Sequence, residues 1–136
     1  MAEDDPQDIE LALIALKEYH LANDVVVTTD GEETLDYLYR RGKYADRPEK
    51  NPIVIFLDLK MPKISGLEVL QQVKSDPKLR TIPVVVMTSS DEDQDIIQSY
   101  TSGVNAYVVK PIAFDKFIEV VKQLGLFWVL TNKSPK

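Results

Sequence analysis

Ile53-Val54-Ile55-Phe56-Leu57-Asp58-Leu59-Lys60-Met61-Pro62 is a run of five apolar residues that ends on a carboxylate, with Pro52 ahead of it and Pro62 closing it. A short apolar run between two prolines reads as a strand buried on both faces of a sheet. An ionised carboxylate is costly inside a core, so Asp58 belongs just beyond the carboxyl end of that strand. In open α/β sheets this end is where ligands and chemistry gather.

On either side of this run, helical and strand patterns alternate. Asp5-Pro6 reads as an N-cap with proline in the first turn, opening a helix in which Ile9, Leu13 and Leu16 recur up to about His20. Val25 to Thr29 is β-branched throughout and predicts a strand. Asp30-Gly31 then turns the chain into a second helix with Leu35, Leu38 and Tyr39 on one face. The polar stretch from Arg40 to Asn51 is a long loop or a helix extension. After the Asp58 strand, a helix runs from Gly66 to about Lys74 and breaks at Asp76-Pro77. A buried strand from Ile82 to Met87 ends at Thr88. Ser90-Asp91-Glu92-Asp93 caps a fourth helix, which Gly103 closes. Ala106 to Val109 is the last strand and ends at Lys110-Pro111. A fifth helix starts near Phe114 and carries Phe127 and Trp128 near its end. Strands alternating with helices imply a parallel sheet covered on both faces, in one domain over 1–136 with an aromatic extension at about 125–136.

Composition narrows the function classes. The 136 residues are 44% hydrophobic and 28% charged, enough for one folded domain with a core. A formal net charge of -6 argues against broad binding to nucleic acid or to an anionic membrane. No apolar stretch approaches the roughly 20 residues of a membrane span, so a cytoplasmic location is the default expectation. There is no Cys, and the single His has no partner, which leaves no zinc or thiol chemistry.

Four segment ends then matter together: Glu3-Asp4-Asp5, Asp58, Thr88 and Lys110. If their strands are parallel, all four share one rim. Carboxylates crowded in one hollow repel unless a proton or cation intervenes. A hard cation with oxygen ligands, Mg²⁺ or alternatively Mn²⁺, fits such a set. A lysine and a hydroxyl beside a metal-bound carboxylate suit a phosphoryl group, with the carboxylate as nucleophile.

Glu3-Asp4-Asp5-Pro6, Asp58-Leu59-Lys60-Met61-Pro62-x-x-x-Gly66, Met87-Thr88-Ser89 and Tyr107-Val108-Val109-Lys110-Pro111 together closely resemble the receiver domain of two-component response regulators. The resemblance covers essentially the whole chain. It implies a flavodoxin-like, doubly wound sheet of five parallel strands in the order 2-1-3-4-5. It also implies that Asp58 is the phospho-acceptor for a kinase phosphohistidine. Asp4, Asp58 and the Lys60 backbone carbonyl would ligate Mg²⁺, with Glu3 acting through water. Lys110 would bind a phosphoryl oxygen, Ser89 would face the phosphate with its N–H, and Thr88 and Tyr107 would switch together. Asp5 would cap the first helix. Signalling would pass through protein contacts rather than through a separate enzymatic activity.

Two features point to a subclass. The long segment Tyr39 to Asn51 and the aromatic end Leu124-Gly125-Leu126-Phe127-Trp128 resemble the single-domain regulators that partner phytochrome-type histidine kinases. Some of those dimerise through the last helix and strand, so the resemblance implies for this chain a homodimer through the fourth helix, fifth strand and fifth helix. One feature departs from the family: only Met1-Ala2 precede the acidic cluster, where the family has a full strand, so the first strand reads as truncated. Among rivals, an aspartyl phosphohydrolase would want a carboxylate two residues after Asp58, where Lys60 stands. A flavodoxin-like cofactor binder would want Gly, Ser or Thr where Glu3 to Asp5 lie. A degenerate receiver serving as a scaffold or dimerisation module is the remaining alternative.

Overall fold

The structure, a computed structural model, describes residues 1–18, 25–88, 106–110 and 114–123. Ser89, the helix expected from Ser90, Pro111 and the Phe127-Trp128 end lie outside the described residues. The described elements are α1 (Pro6–Glu18), α2 (Gly31–Tyr39), a 3₁₀ turn (Gly42–Tyr44), β1 (Ile55–Asp58), α3 (Gly66–Ser75), β2 (Val84–Thr88), β3 (Ala106–Val109) and α4 (Phe114–Gln123). Among the described residues, no helix is long and apolar enough to cross a membrane.

The three strands pair in parallel in the order β1-β2-β3, with Asp58 opposite Met87 and Thr88 opposite Val109. Ala2 extends the sheet by a single rung, bridging Thr28 on one side and Leu57 on the other. Its N–H donates to Phe56 O at 2.7 Å, and its carbonyl accepts from Asp58 N at 2.9 Å. At that level the order is the expected 2-1-3-4-5. The strand read over Val25 to Thr29 is reduced to the bridge at Thr28. There Thr28 N donates to Met1 O and Thr28 O accepts from Glu3 N, each at 2.9 Å. Beneath Met1 and Ala2, between Val25–Val26 and Ile53–Phe56, a cavity of about 780 Å³ occupies the sheet's middle.

Alternation along the strands sorts the core onto two faces. Ile55, Leu57, Val84 and Val86 face Leu35, Leu38, Val69, Leu70 and Val73 of α2 and α3. Phe56, Val85, Met87 and Val108 face Ala12, Ala15 and Leu16 of α1 and Phe117 and Ile118 of α4. The Phe56 and Phe117 rings lie 5.0 Å apart at the centre of that layer. The sheet is therefore covered on both sides by the described helices.

Local chemistry sets the helix starts. Asp5 Oδ1 accepts from Gln7 N at 2.9 Å, as expected of a cap on α1. Asp30 Oδ1 caps α2 through Glu33 N at 2.7 Å, and Ser65 Oγ caps α3 through Glu68 N at 3.3 Å. The long segment after α2 is an ordered structure of its own. Arg47 donates to the carbonyls of Tyr37, Leu38, Pro48 and Lys50, and its guanidinium lies 4.2 Å from the Tyr37 ring centroid. One side chain thus closes the open end of α2 and folds the loop back on it.

Candidate functional site

Because β1, β2 and β3 are parallel, Asp58, Thr88 and the residue after Val109 leave the sheet at one rim. The Ala2 rung delivers Glu3 to the same place, and Glu3 N donates to Thr28 O at 2.9 Å. Four of the predicted residues converge there with side chains in place. Asp58 is 4% exposed and Glu3 is fully buried. Lys110 Nζ lies 2.9 Å from Glu3 Oε1 and 3.2 Å from Asp58 Oδ2, and donates to Glu3 Oε2 at 3.1 Å. Asp4 is exposed at the mouth, and carboxylate oxygens of Glu3, Asp4 and Asp58 all lie within 4.8 Å of one another. Lys60 N donates to Asp58 Oδ1 at 3.2 Å, which holds the Lys60 main chain against the carboxylate. Thr88 closes β2 one residue beyond the partner of Asp58, while Tyr107 pairs with Val86 deeper in the sheet.

The loop carrying Lys60 is clamped by two glycines. Gly66 N donates to Leu59 O at 2.9 Å, and Gly31 N donates to Pro62 O at 3.3 Å. A methyl group on Gly66 would overlap the Asp58 carbonyl oxygen and come within 2.6 Å of Leu59 Cα. Lys63, in the same loop, holds a left-handed φ of 65°. The spacing from Asp58 to Gly66 thus has a steric cause: the α3 backbone packs directly under the strand end.

Asp8 is the site residue that the sequence reading missed. It sits in the first turn of α1, and its Oδ2 lies 3.1 Å from Lys110 Nζ. A first-turn acid was visible in the sequence. That the start of α1 points at this rim was not, because the direction is set by packing on the sheet.

The electrostatics follow from this crowding. Burial, reinforced by the charge of Asp58, pushes the Glu3 carboxyl up to about 7, despite its hydrogen bonds from Lys110 and the Asp5 main chain. Burial likewise raises Asp58, against the pull of Lys110 and Lys60 N. Burial opposes the Lys110 charge, but its hydrogen bond to Glu3 and the charges of Asp58 and Glu3 prevail and hold it above the ordinary lysine range. Among the described residues, three carboxylates, those of Glu3, Asp8 and Asp58, surround the Lys110 ammonium.

The donor set fits a hard divalent cation. Glu3 Oε1 is buried and accepts no hydrogen bond, although Lys110 lies beside it. With Asp4 and Asp58 it presents carboxylate oxygens and no sulfur or imidazole, the ligand class of Mg²⁺ and Mn²⁺.

A doubly wound α/β domain with an acid-lined hollow at the carboxyl rim and a lysine across it places its site where open α/β sheets bind their ligands. Residues 1–122 match the response regulator receiver domain, and the chain belongs to that family. It is similar to the bacteriophytochrome response regulator RtBRR, with 54% identity and a TM-score of 0.88 over 98% of this chain and 81% of that one. The phosphorylated cyanobacterial phytochrome response regulator RcpA is 39% identical, with a TM-score of 0.76 over 99% and 95% of the two chains. The response regulator Rcp1 of Synechocystis sp. is 34% identical over 135 residues, covering 99% of this chain and 90% of its own. The solved Mn(2+)-bound form of Rcp1 aligns with a TM-score of 0.77 over 99% of this chain and 96% of that one.

Proposed function

We propose that Asp58 accepts a phosphoryl group from a phosphohistidine of a sensor histidine kinase, and that the protein signals through contacts with other proteins. The observation that carries this reading is the buried Asp58 carboxylate, 3.2 Å from Lys110 and within 4.8 Å of the Glu3 and Asp4 oxygens, at the open rim of the sheet. An Asp58 carboxylate oxygen forms the new O–P bond while the P–N bond to histidine breaks and its electron pair leaves with the imidazole. Lys110 turns from its carboxylate partners to a phosphoryl oxygen. Lys60 N holds the attacking carboxylate in place. Asp4, Asp58 and the Lys60 carbonyl would hold Mg²⁺, with Glu3 reaching it through water, and the ion would neutralise charge on the phosphoryl oxygens.

Phosphorylation then adds roughly two negative charges to the rim. Thr88 and Ser89 gain a group to bind, and Tyr107 follows Thr88 as the switch. In this reading the protein is a phospho-acceptor rather than an enzyme turning over a separate substrate. The likeness to RtBRR and RcpA supports a phytochrome-type kinase as donor. The experiment is incubation with Mg²⁺ and acetyl phosphate followed by intact-mass measurement. One added phosphoryl group is expected, absent from Asp58→Ala. No adduct on the unaltered chain would overturn the reading and leave the scaffold role.

A further inference from the structure

We infer that Asp8 is a positioning residue for Lys110 and acts as a brake on phosphoryl transfer; the inference rests on the phospho-acceptor reading above. An ammonium has three N–H donors. Here it donates to Glu3 Oε2 at 3.1 Å, while Asp8 Oδ2 and Asp58 Oδ2 lie 3.1 and 3.2 Å from its nitrogen, one carboxylate for each donor. Asp8 and Lys110 side chains are each 13% exposed, so water competes little for either. Of the three partners, Asp58 is the group to be phosphorylated, and Glu3 belongs with Asp4 and Asp58 to the set that can hold a metal. Asp8 alone stands outside both roles.

Its position decides what it does. Asp8 lies in the first turn of α1, where the helix dipole favours a carboxylate. An incoming phosphoryl group must take over one Lys110 donor. Asp8 holds one of those donors and adds a negative charge within reach of the anion. Both effects disfavour phosphoryl arrival, and both vanish when the charge is removed. Lys110 would remain anchored by Glu3 and Asp58. The sequence around Asp5 gives no sign of this, because an acid in a first helical turn ordinarily serves the helix alone.

The test compares rates of phosphorylation by acetyl phosphate at fixed Mg²⁺ for the unaltered chain, Asp8→Asn, Asp8→Ser and Asp8→Glu, with thermal unfolding of each. Loss of the charge should speed phosphorylation about three- to tenfold in both neutral variants, mainly by lowering the apparent KM for the anionic donor. Asp8→Glu should stay near the original rate. A purely structural role would lower the unfolding temperature without any gain in rate. Equal or slower phosphorylation in Asp8→Asn and Asp8→Ser, with the unaltered chain phosphorylated normally, overturns the inference. No phosphorylation of the unaltered chain overturns the underlying reading instead.

Discussion

Gly66 lies directly beneath the main chain of Asp58, so close that a Cβ there would overlap the Asp58 carbonyl oxygen. Gly66→Ala therefore pits two effects against each other. Alanine gains about 0.5–1 kcal/mol of helix propensity. Overpacking against rigid backbone costs about 1–3 kcal/mol, and the nearest atoms, those of Asp58 and Leu59, are main-chain atoms that cannot rotate away. The clash should win, giving a net loss of about 1 kcal/mol in urea unfolding. Phosphorylation should slow as well, because the Asp58 carboxylate shifts with its backbone. A variant as stable as the parent would show that the strand end tolerates displacement.

Lys110→Met removes the one ammonium that faces Glu3, Asp8 and Asp58. Leaving buried charge unpaired costs about 3–5 kcal/mol. The lower end applies, because Glu3 at about 7 can take up a proton near neutrality. We expect a loss of about 3 kcal/mol without metal, and a larger Mg²⁺-dependent rise in unfolding temperature than in the parent. Stability insensitive to both the substitution and Mg²⁺ would contradict the electrostatic picture of the rim.

Asp4 is exposed, whereas its partners Glu3 and Asp58 are buried. Asp4→Ala should change metal-free stability by no more than about 0.5 kcal/mol. It should nonetheless remove most of the stabilisation by Mg²⁺, which reaches about 2.7 kcal/mol at a hundred times the Kd. Differential scanning fluorimetry across a Mg²⁺ series separates the two. A full Mg²⁺ response in Asp4→Ala would exclude it as a ligand.

The convergence of Asp58, Thr88 and Lys110 was legible in the sequence because parallel strands bring their carboxyl ends to one edge. Asp8 was not, since the direction of α1 depends on Ala12, Ala15 and Leu16 packing against the sheet. Val25 to Thr29 has a strand's composition, yet among the described residues of the stretch only Thr28 forms a β-bridge; propensity cannot substitute for a ladder. The order of the Tyr39 to Asn51 segment was likewise hidden. It rests on Arg47 reaching the Tyr37 and Leu38 carbonyls, contacts that local pattern does not encode.

That segment yields a pH prediction. Burial opposes the charge of Glu33, but hydrogen bonds from Lys43, Thr29 N and Tyr44 outweigh it and draw the carboxyl down to about 2. A depressed folded value means that the pairing stabilises fully above the unfolded value of 4.5 and is lost as pH falls toward about 2. Lys43 is 69% exposed, so solvent screening keeps the effect small. Acid titration of stability should show this loss in the parent and less of it in Glu33→Gln. Parallel acid profiles would mean that Glu33 carries no net stabilisation.

Met1 and Ala2 hold the middle of the sheet by one rung, above a cavity of about 780 Å³. The Met1 ammonium already donates to Val26 O at 2.6 Å, as the next ladder bond would, and burial lowers it to about 6. An engineered extension of four β-branched or leucine residues ahead of Met1 would run parallel to Ile53 and Val54. Each buried side chain contributes about 1.5–3 kcal/mol and each ladder bond about 1 kcal/mol. Ordering each residue costs about 1–2 kcal/mol in backbone freedom and about 0.5–1 kcal/mol in its side chain. The balance is about 1 kcal/mol per residue, or a rise of roughly 10 °C in unfolding temperature for the four together. Placing aspartate at two of the four positions should cancel the gain, since a carboxylate cannot be buried there unpaired. An equal rise with the aspartate-bearing extension would locate the stabilisation outside the cavity.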